Sequence, residues 1–409
     1  MTTEADIPQA APAGTTSIPD VPILPPATIG LLGGGQLGRM LGMAARAMGY
    51  RVWVLDPDPA CPAAAIADRV VVGAYDDTAA ALELARGSDL VTYELEHVSL
   101  ELVRTVAAIV PVRPGTEPLR VTQDRLAERA FIEAAAIPVA PWLAVRTTGD
   151  LRAAAAELGL PLRLKAATGG YDGRGQLRIA AAGELDGAIE RLGRPARQPL
   201  LAERELAFAA ELSVMVARTA DGSSLTFPPA RNQHDEGILV ESVAPAPLAQ
   251  AALDGAVAIG DRLAAAMDLT GTLTVELFLL PDGSLVVNEL APRVHNSGHW
   301  TIEGAATSQF EQHIRAICGL PLGSSRAHGP TAVVNILGSG QRRKARLRGV
   351  AAALADPTVH LHLYDKREVF ERRKMGHVSA VGATPEAALD HAHRARAQLT
   401  WFDGDEERA

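Results

Sequence analysis

The strongest constraint on the fold is an alternation near the start of the chain, where short apolar runs recur at helix-length intervals. An apolar run at residues 28–32 meets the glycine cluster GGGQLG at residues 33–38, and a helical pattern of apolar side chains follows to residue 48. Further apolar runs lie at residues 52–55, 70–72, 90–93 and 109–112, separated by alanine-rich segments. This alternation predicts a parallel β-sheet covered by helices over residues 28–120.

The pattern changes after a predicted helix at residues 123–136. From Leu200 onward, strand-like runs occur with no regular helix between them, which predicts an α+β domain with antiparallel sheet over residues 121–325. Gly, Pro and Ser cluster at residues 319–330, so we expect a small third domain at residues 326–401. The proline-rich residues 1–27 are predicted to be a disordered tail, and residues 402–409 to be frayed.

Composition narrows the range of functions. The formal charge of −9 argues against binding along a nucleic-acid backbone, because that affinity comes largely from Lys and Arg neutralising phosphates. No apolar run approaches the roughly 18 residues of a membrane helix, and the N-terminal residues do not resemble a secretory signal. Cys61 and Cys318 form neither a disulfide framework nor a metal-binding spacing. We therefore expect a cytoplasmic protein that binds neither nucleic acid nor membrane.

The first glycine cluster also fits a dinucleotide-binding fingerprint, Gly33-x-Gly35-x-x-Gly38, with Asp56 at the end of the next strand. Its glycines would let the backbone approach a phosphate or ribose at the positive end of a helix. A structural tight turn or another ligand would produce the same pattern, so a site for NAD or FAD is one interpretation among several. Glu94, which ends a later strand, would face the same crevice.

A second glycine-rich segment is more specific. It has four glycines within residues 169–175, and Lys165 precedes it on a predicted strand. Backbone N–H groups of such a flap can close over a polyphosphate, while the lysine supplies a point charge. A surface hairpin would explain the glycines but neither the lysine nor the interspersed Tyr, Asp and Arg. The spacing also differs from that of an ordinary P-loop.

Two acidic residues within apolar strands form a third signal. Glu276 lies inside the run at residues 272–278, and Asn288-Glu289 ends the next strand. The turn at residues 281–284 makes the two strands a hairpin, so the two glutamates can lie side by side. Two carboxylates and an amide oxygen at one place suit Mg²⁺ that bridges nucleotide phosphates. A structural ion pair with Arg or Lys is the alternative, since a buried carboxylate needs a counter-charge.

The segment directly after Glu289 contains Arg293, His295 and Asn296, whose side chains provide the hydrogen bonds that a small oxyanion requires. His299 is equally suited to a core position and to a ligand. Two basic runs follow near the C-terminus, at residues 342–348 and 366–377. Such runs are ordinarily solvated faces of a protein.

Three motifs, in this order, resemble those of the N5-carboxyaminoimidazole ribonucleotide synthases, a family of ATP-grasp ligases. They are GGGQLGRM at residues 33–40, TGGYDGRGQ at residues 168–176 and NELAPRVHNSGHWT at residues 288–301. The resemblance extends to about residue 401 and implies a Rossmann-like N-terminal domain, a central ATP-grasp domain and a small C-terminal domain. It also implies a homodimer, and a glycine cluster that contacts aminoimidazole ribonucleotide in place of NAD.

The resemblance implies specific site residues. ATP would be held by Arg125, Lys165, Gly170, Tyr171, Asp172, Gly173, Arg174, Gly175, Gln176, Glu203, Arg204, Glu205, Leu206, Glu211, His234, Asn288 and Glu289. Within this set, Glu203 would lie at the adenine hinge and Glu211 at the ribose hydroxyls. The catalytic residues would be Lys165, Arg293, His295 and Asn296, of which Arg293 and Asn296 match the bicarbonate site. Glu276 and Glu289 match the carboxylates that bind Mg²⁺, for which Mn²⁺ would substitute. The ribonucleotide would contact Gly35, Gln36, Leu37, Glu94, Lys366 and Arg373.

The sequence departs from the family pattern at two basic positions. Arg129 stands where lysine is usual, which keeps the charge but changes the reach of the side chain. Phe370 stands where arginine is usual, so phosphate anchoring there would pass to Arg372 or Arg373.

The implied reaction is the carboxylation of 5-aminoimidazole ribonucleotide in purine biosynthesis, driven by ATP and bicarbonate through carboxyphosphate. Two alternatives stay open from the sequence. A formate-dependent ribonucleotide transformylase would use the same ATP clamp with formate. A non-enzymatic sensor built on the Gly33 loop would bind NAD tightly and would not hydrolyse ATP.

Overall fold

The structure, a computed structural model, describes residues 21–170, 175–192 and 198–402, and it begins with a four-stranded parallel sheet in the order β3-β2-β1-β4. The elements of this first unit are β1 (Thr28–Leu32), α1 (Gln36–Ala47), β2 (Arg51–Asp56), β3 (Arg69–Val72), α2 (Thr78–Arg86), β4 (Leu90–Tyr93) and α3 (Leu100–Ala107). The predicted parallel sheet is thus confirmed, but the predicted strand at residues 109–112 is wrong. Only Val112 forms a bridge, to Val91, because Pro111 and Pro114 lack the N–H groups that a ladder needs.

Two helices connect this unit to the next, α4 (Thr116–Gln123) and α5 (Arg125–Ala134). The sequence pattern predicts one helix here, at residues 123–136, whereas the chain breaks at Asp124. This residue is extended, and its carboxylate accepts a hydrogen bond from the N–H of Leu126 at 2.8 Å. A side-chain cap of this kind satisfies an N–H that the first turn leaves unpaired, so a new helix begins at this position.

The central domain contains a small antiparallel sheet in the order β5-β8-β6-β7. Its elements are β5 (Trp142–Val145), α6 (Thr148–Leu158), β6 (Leu162–Ala166), β7 (Gln176–Ile179), α7 (Ala188–Arg191) and β8 (Leu200–Arg204). The predicted flap connects β6 to β7. Its residues Tyr171, Asp172, Gly173 and Arg174 lie outside the described residues.

A nine-stranded antiparallel sheet forms the rest of the central domain and continues into the C-terminal domain, in the order β14-β13-β9-β11-β12-β15-β20-β18 with β10 beside β9. The central elements are β9 (Ala210–Arg218), β10 (Ser224–Thr226), β11 (Ala230–Asp235), β12 (Ile238–Ala244), α8 (Gln250–Ala266), β13 (Gly271–Leu279), β14 (Leu285–Ala291), α9 (Thr301–Gly304) and α10 (Gln309–Ile317). The C-terminal elements are β15 (Thr331–Leu337), β16 (Arg343–Lys344), β17 (Leu347–Arg348), α11 (Val350–Ala353), β18 (Val359–Leu363), β19 (Glu368–Val369), β20 (Lys374–Val381), α12 (Pro385–Gln398) and β21 (Thr400–Trp401).

Helix α8 contradicts the expectation that no regular helix lies among the strands after Leu200. Its buried residues include Ala252, Ala256, Gly260 and Leu263, which recur at helical spacing against the large sheet. The helical period is therefore present in the sequence, but small side chains carry most of it and the apolar signal is weak.

Residues 21–27, predicted as part of the disordered tail, lie against two domains. The N–H of Ile23 donates to the carbonyl of Cys318 at 2.9 Å, and the hydroxyl of Tyr50 donates to the carbonyl of Ile23 at 2.7 Å. The predicted end of the tail at residue 27 is therefore wrong. Residues 1–20 and 403–409 lie outside the described residues.

Helix α10 joins the central domain to the first unit. Phe310 and Ile314 are buried in one apolar cluster with Leu37, Leu41 and Val52 of the parallel sheet and its first helix. No helix among the described parts of the chain is long and apolar enough to cross a membrane.

We expect Ile314→Ala to lower the free energy of unfolding by about 2–5 kcal/mol, because it opens a cavity in the cluster that joins two domains. Chemical denaturation followed by fluorescence would measure the change. Leu354→Ala is the control, since Leu354 is exposed and its truncation should change the free energy by less than about 0.5 kcal/mol. Equal losses in the two variants would contradict the packing described here.

Candidate active site

Two carboxylates face each other across the central hairpin. Glu276 on β13 and Glu289 on β14 are direct partners in the antiparallel register, as the hairpin pattern predicts. The register shifts beside them, because Leu277 pairs with Val287 and leaves Asn288 as an extra residue. Such bulges re-aim side chains and are frequent beside active sites. The hairpin therefore brings two carboxylates and an amide to one point on the sheet.

The two carboxylates have different electrostatic environments. Burial raises the pKa of Glu276 to about 7, and the nearby charge of Glu289 adds to the rise although His234 opposes it. Glu289 lies 3.3 Å from the guanidinium of Arg125. Against the effect of burial, Arg125 and Lys165 lower the pKa of Glu289. The neighbouring cations thus neutralise only part of the negative charge that the pair would carry with both carboxylates ionised. A bound cation would reduce the remaining repulsion between the two carboxylates.

This donor set fits Mg²⁺ better than a metal held by protein ligands alone. The described residues contain no group of three or more His, Cys, Asp or Glu side chains that could hold a metal ion. Mg²⁺ commonly uses one or two carboxylates and completes its shell with phosphate oxygens and water. Glu276 and Glu289, with Asn288 at the bulge in β14, match that requirement.

Lys165 lies at the base of the flap in a buried ionic network. Its Nζ is 2.5 Å from Oε2 of Glu203, and Nε of Arg129 donates to Oε1 of the same carboxylate at 2.9 Å. Although burial alone would raise the pKa of Glu203, Lys165 and Arg129 hold it at about 2. Burial lowers the pKa of Lys165. The lysine is therefore held in place by its partner and lies close enough to Glu289 to lower the pKa of that residue.

The flap joins the sheet at Gly175 and Gln176. The N–H of Ala166 donates to the carbonyl of Gly175 at 2.8 Å, and Gly175 has a φ of +73°, which a glycine adopts without strain. Gly170 ends the described part of the flap on the other side. The C-terminal end of the flap is thus next to Lys165, because Gln176 pairs with Lys165 in the sheet.

The predicted hinge follows strand β8. Arg204 donates to the carbonyl of Leu158 at 2.8 Å, and Glu205 pairs with Arg178 at 2.8 Å. These two side chains therefore contact the small sheet and its helix. Leu206 directly follows them.

Further along, Oε2 of Glu211 lies 2.6 Å from Nδ1 of His234. Phe208 and Phe278 stack with ring centroids 4.5 Å apart. Nothing in the sequence pattern distinguishes these two phenylalanines from other apolar residues. Phe278 lies opposite Glu211 in the register of β13 and β9, so the aromatic pair is next to the Glu211–His234 contact.

The loop after β14 concentrates buried polar groups. Arg293 pairs with Glu96 at 2.8 Å, and His295 lies 3.5 Å from Glu276. Burial, with the charge of Arg293, lowers the pKa of His295 well below its usual value, so the imidazole is neutral. Oδ1 of Asn296 is buried and makes no hydrogen bond within the described part of the protein. An unpaired buried oxygen is costly, and a small polar ligand would satisfy it.

His299 is a core residue. Its side chain is fully buried, and its ring stacks on that of His377 with centroids 4.6 Å apart. Burial lowers the pKa of His299 to about 3. Of the two interpretations from sequence, the structure therefore favours the core position.

Carboxylates occupy the N–H groups of the first glycine loop. Glu94 accepts from the N–H groups of Gly35 at 2.6 Å and Gly38 at 2.7 Å, and Asp56 accepts from that of Gly34 at 2.8 Å. A Cβ atom on Gly35 would lie 2.5 Å from Oε1 of Glu94, so a glycine is required there. Burial raises the pKa of Glu94 to about 7. The helix terminus that a dinucleotide phosphate would use is already bound by protein carboxylates.

The next two predicted contacts lie at the start of α1. Gln36 is the first residue of this helix and is partly exposed beside the glycine loop. Leu37 is buried in the core that α1 shares with α10, so its side chain packs inside the protein.

The C-terminal basic cluster lies next to this crevice. Arg39 of α1 is 3.6 Å from Asp365. Burial lowers the pKa of Arg373, and the negative charge of Asp58 is near enough to oppose that change. Lys366 donates to the carbonyl of Lys374 at 2.7 Å. Residues far apart in sequence therefore meet at the mouth of the first unit.

Phe370, the departure from the family pattern, lies beside two guanidinium groups. That of Arg342 is 4.3 Å from the ring centroid and that of Arg373 is 5.0 Å from it. Arg372 instead pairs with Asp235 at 2.9 Å. Of the two replacements considered for the missing arginine, Arg373 is thus the one beside the crevice, and Arg342 from the other basic run joins it.

Lys374 is a residue of this region to which sequence analysis assigned no role. It begins β20, and its positive charge lies within electrostatic reach of Glu276, His234 and His295. The sequence does not indicate this role, because Lys374 lies in a run of basic residues and nothing in the pattern distinguishes it from the others. A cavity of about 370 Å³ lies elsewhere, between α11 and α12, and holds none of the predicted site residues.

Three domain families match consecutive parts of the chain. Residues 26–123 match the ribonucleotide synthetase preATP-grasp domain, residues 130–310 the ATP-grasp domain, and residues 331–391 the phosphoribosylaminoimidazole carboxylase C-terminal domain. The first and second matches adjoin at the helices α4 and α5 described above.

Whole proteins match over most of their length. N5-carboxyaminoimidazole ribonucleotide synthases of Brucella melitensis and Bacillus subtilis are 42% and 40% identical, over 87% of this chain and 97% and 92% of theirs. A solved ADP complex of an N5-carboxyaminoimidazole ribonucleotide synthetase has a TM-score of 0.84 at 40% identity, covering 91% of this chain and 97% of that one. The enzyme of Aspergillus clavatus in complex with ADP and 5-aminoimidazole ribonucleotide has a TM-score of 0.82 at 32% identity, covering 91% and 98%. The chain belongs to the N5-carboxyaminoimidazole ribonucleotide synthase family of ATP-grasp ligases.

Proposed function

We propose that this chain carboxylates the exocyclic amine of 5-aminoimidazole ribonucleotide, with ATP and bicarbonate, to give N5-carboxyaminoimidazole ribonucleotide in purine biosynthesis. One observation carries the proposal: Glu276 and Glu289 face each other beside Arg125 and the flap lysine, and the Asn296 loop follows directly. A homodimer and a cytoplasmic location remain expectations from the family resemblance and from composition.

Glu276 and Glu289 would hold Mg²⁺, and Mn²⁺ would serve in its place. When bound, the ion would neutralise negative charge on the phosphates of the nucleotide. Arg125 and Lys165 contribute two further positive charges at the same place. Burial strengthens these interactions, because water screens them less there.

Bicarbonate would bind between Arg293 and Asn296. The guanidinium is held by Glu96 at 2.8 Å, and the amide of Asn296 has a buried oxygen that lacks a hydrogen bond in the described residues. An oxygen of bicarbonate attacks the γ-phosphorus, and the bond to the bridging oxygen breaks so that ADP leaves. The product is carboxyphosphate. His295 is neutral, so its imidazole would contribute hydrogen bonds to the site and no positive charge.

The second step joins carbon to nitrogen. Carboxyphosphate breaks down to CO₂ and phosphate, the amine nitrogen of the ribonucleotide attacks CO₂, and the departing phosphate takes the amine proton. Glu94, Lys366 and Arg373 would contact the ribonucleotide, and Lys366 and Arg373 would bind its phosphate. A closed flap would exclude water from the anhydride, which otherwise hydrolyses.

The anion requirement tests the proposal against a formate-dependent transformylase. Release of ADP should require bicarbonate and should increase on addition of 5-aminoimidazole ribonucleotide, because the amine consumes the intermediate. Coupled spectrophotometry measures it, with formate in place of bicarbonate as the comparison. Faster ADP release with formate would reject the proposed substrate.

Oxygen-18 in bicarbonate should appear in the released phosphate, because carboxyphosphate transfers one bicarbonate oxygen to phosphorus. Mass spectrometry of the phosphate after a single turnover measures the transfer. Phosphate without label, formed together with carboxylated product, would exclude the route through carboxyphosphate.

Glu289→Gln should reduce turnover by roughly a hundredfold or more while the protein stays folded, because the site loses a charged ligand opposite Glu276. Steady-state ADP release measures turnover, and circular dichroism checks the fold. Glu83→Gln is the control, since it removes an exposed carboxylate that pairs with Arg69 on the surface. Normal turnover in the Glu289 variant would refute the metal assignment.

A further inference from the structure

Two consecutive residues of α5 are buried at the active site without a role in the steps above. The side chains of Glu128 and Arg129 are 1% and 0% exposed. They pair with each other through Nη1 of Arg129 and Oε2 of Glu128 at 2.8 Å. A buried ion pair is expensive to assemble and contributes little net stability, so its other contacts indicate what it does.

Those contacts lie on both sides of Glu289. Nη2 of Arg129 donates to the carbonyl of Asn288 at 2.8 Å, and the N–H of Leu290 donates to Oε1 of Glu128 at 2.6 Å. Strand β14 is at the edge of the large sheet, so its outward backbone groups have no neighbouring strand to pair with. The helix therefore supplies the missing partners for the backbone that carries a proposed metal ligand.

The same arginine extends to the flap. Its Nε donates to Glu203 at 2.9 Å, and Glu203 binds Nζ of Lys165 at 2.5 Å. A continuous chain of charged contacts thus connects the small sheet, which carries the phosphate-binding lysine, to the large sheet, which carries the carboxylates.

We infer that Glu128 and Arg129 are positioning residues that hold Glu289 and Lys165 at a fixed separation. The inference rests on the proposed function only in taking Glu289 as a metal ligand. Neither side chain touches the reacting atoms. Their effect passes through the backbone on either side of Glu289 and through Glu203.

The arginine at position 129 suits this task. Its planar guanidinium binds three acceptors at once, on Glu128, Glu203 and Asn288. Lysine is a compact point charge on a flexible stem and cannot reproduce that fork. The departure from the family pattern therefore adds contacts as well as keeping the charge.

Calorimetric titration of ADP with and without Mg²⁺ tests the inference. In Arg129→Lys and Glu128→Gln, the Mg²⁺ concentration needed for half-maximal ADP binding should rise roughly tenfold to a hundredfold, as for lost partners of metal ligands. The KM for 5-aminoimidazole ribonucleotide should stay unchanged. Glu128→Gln still accepts from Leu290, so it is the gentler variant and gives the measurement should Arg129→Lys fail to fold.

Arg113→Lys is the matched control. Arg113 is also buried and donates to a backbone carbonyl, that of Ile317, away from strand β14. It should lower the melting temperature without altering the Mg²⁺ requirement. An unchanged Mg²⁺ requirement in Glu128→Gln, or an equal change in Arg113→Lys, would overturn the inference. A wild-type protein that binds Mg²⁺ and ADP but forms no carboxylated product would instead reject the proposed function alone.

Discussion

Repulsion between two carboxylates on neighbouring strands is the constraint on which the site depends. Glu276 and Glu289 are direct partners in the register, and like charges in this position destabilise a sheet. The protein offsets the repulsion with positive charge from separate elements. Arg125 begins α5, Lys165 belongs to the small sheet and Lys374 begins β20. The need to gather these cations explains why helix α5, the small sheet and the C-terminal domain converge on one hairpin.

Two continuous connections hold the domains together around this hairpin. The nine-stranded sheet passes from the central domain through β12 and β15 into the C-terminal domain, which carries Lys374 to within electrostatic reach of Glu276. Helix α10 buries Phe310 and Ile314 against the first unit, and so fixes the crevice of Glu94 beside the same region. The domain boundaries inferred from composition therefore divide a chain whose sheets and core are shared. Such sharing favours a single relative orientation of the parts.

Local patterns were sufficient to predict elements whose partners lie close in sequence. The hairpin that pairs Glu276 with Glu289 has a four-residue turn signal, and the β1–α1 loop has its glycines. The side chain that accepts the hydrogen bonds of this loop comes from a distant part of the chain. The sequence therefore could not show that Glu94 accepts a hydrogen bond from the N–H group of Gly35. Helix α8 was not predicted because most of its buried residues are alanines, whose small side chains give only a weak helical pattern of hydrophobicity. Glu96 and Lys374 were missed because their importance arises only from tertiary contacts.

At two of the departures from the family pattern, Phe370 and Arg129, positive charge is present at or beside the substituted position. Phe370 removes a guanidinium, yet its ring lies 4.3 Å from that of Arg342 and 5.0 Å from that of Arg373, so two cations remain on the same surface. A cation above an aromatic face is held by the quadrupole of the ring. At the other departure, Arg129 keeps the charge within the network of Glu203 and adds a bond to the strand of Glu289. Positive charge is therefore present at both positions, although the residue that carries it differs from the one usual in the family.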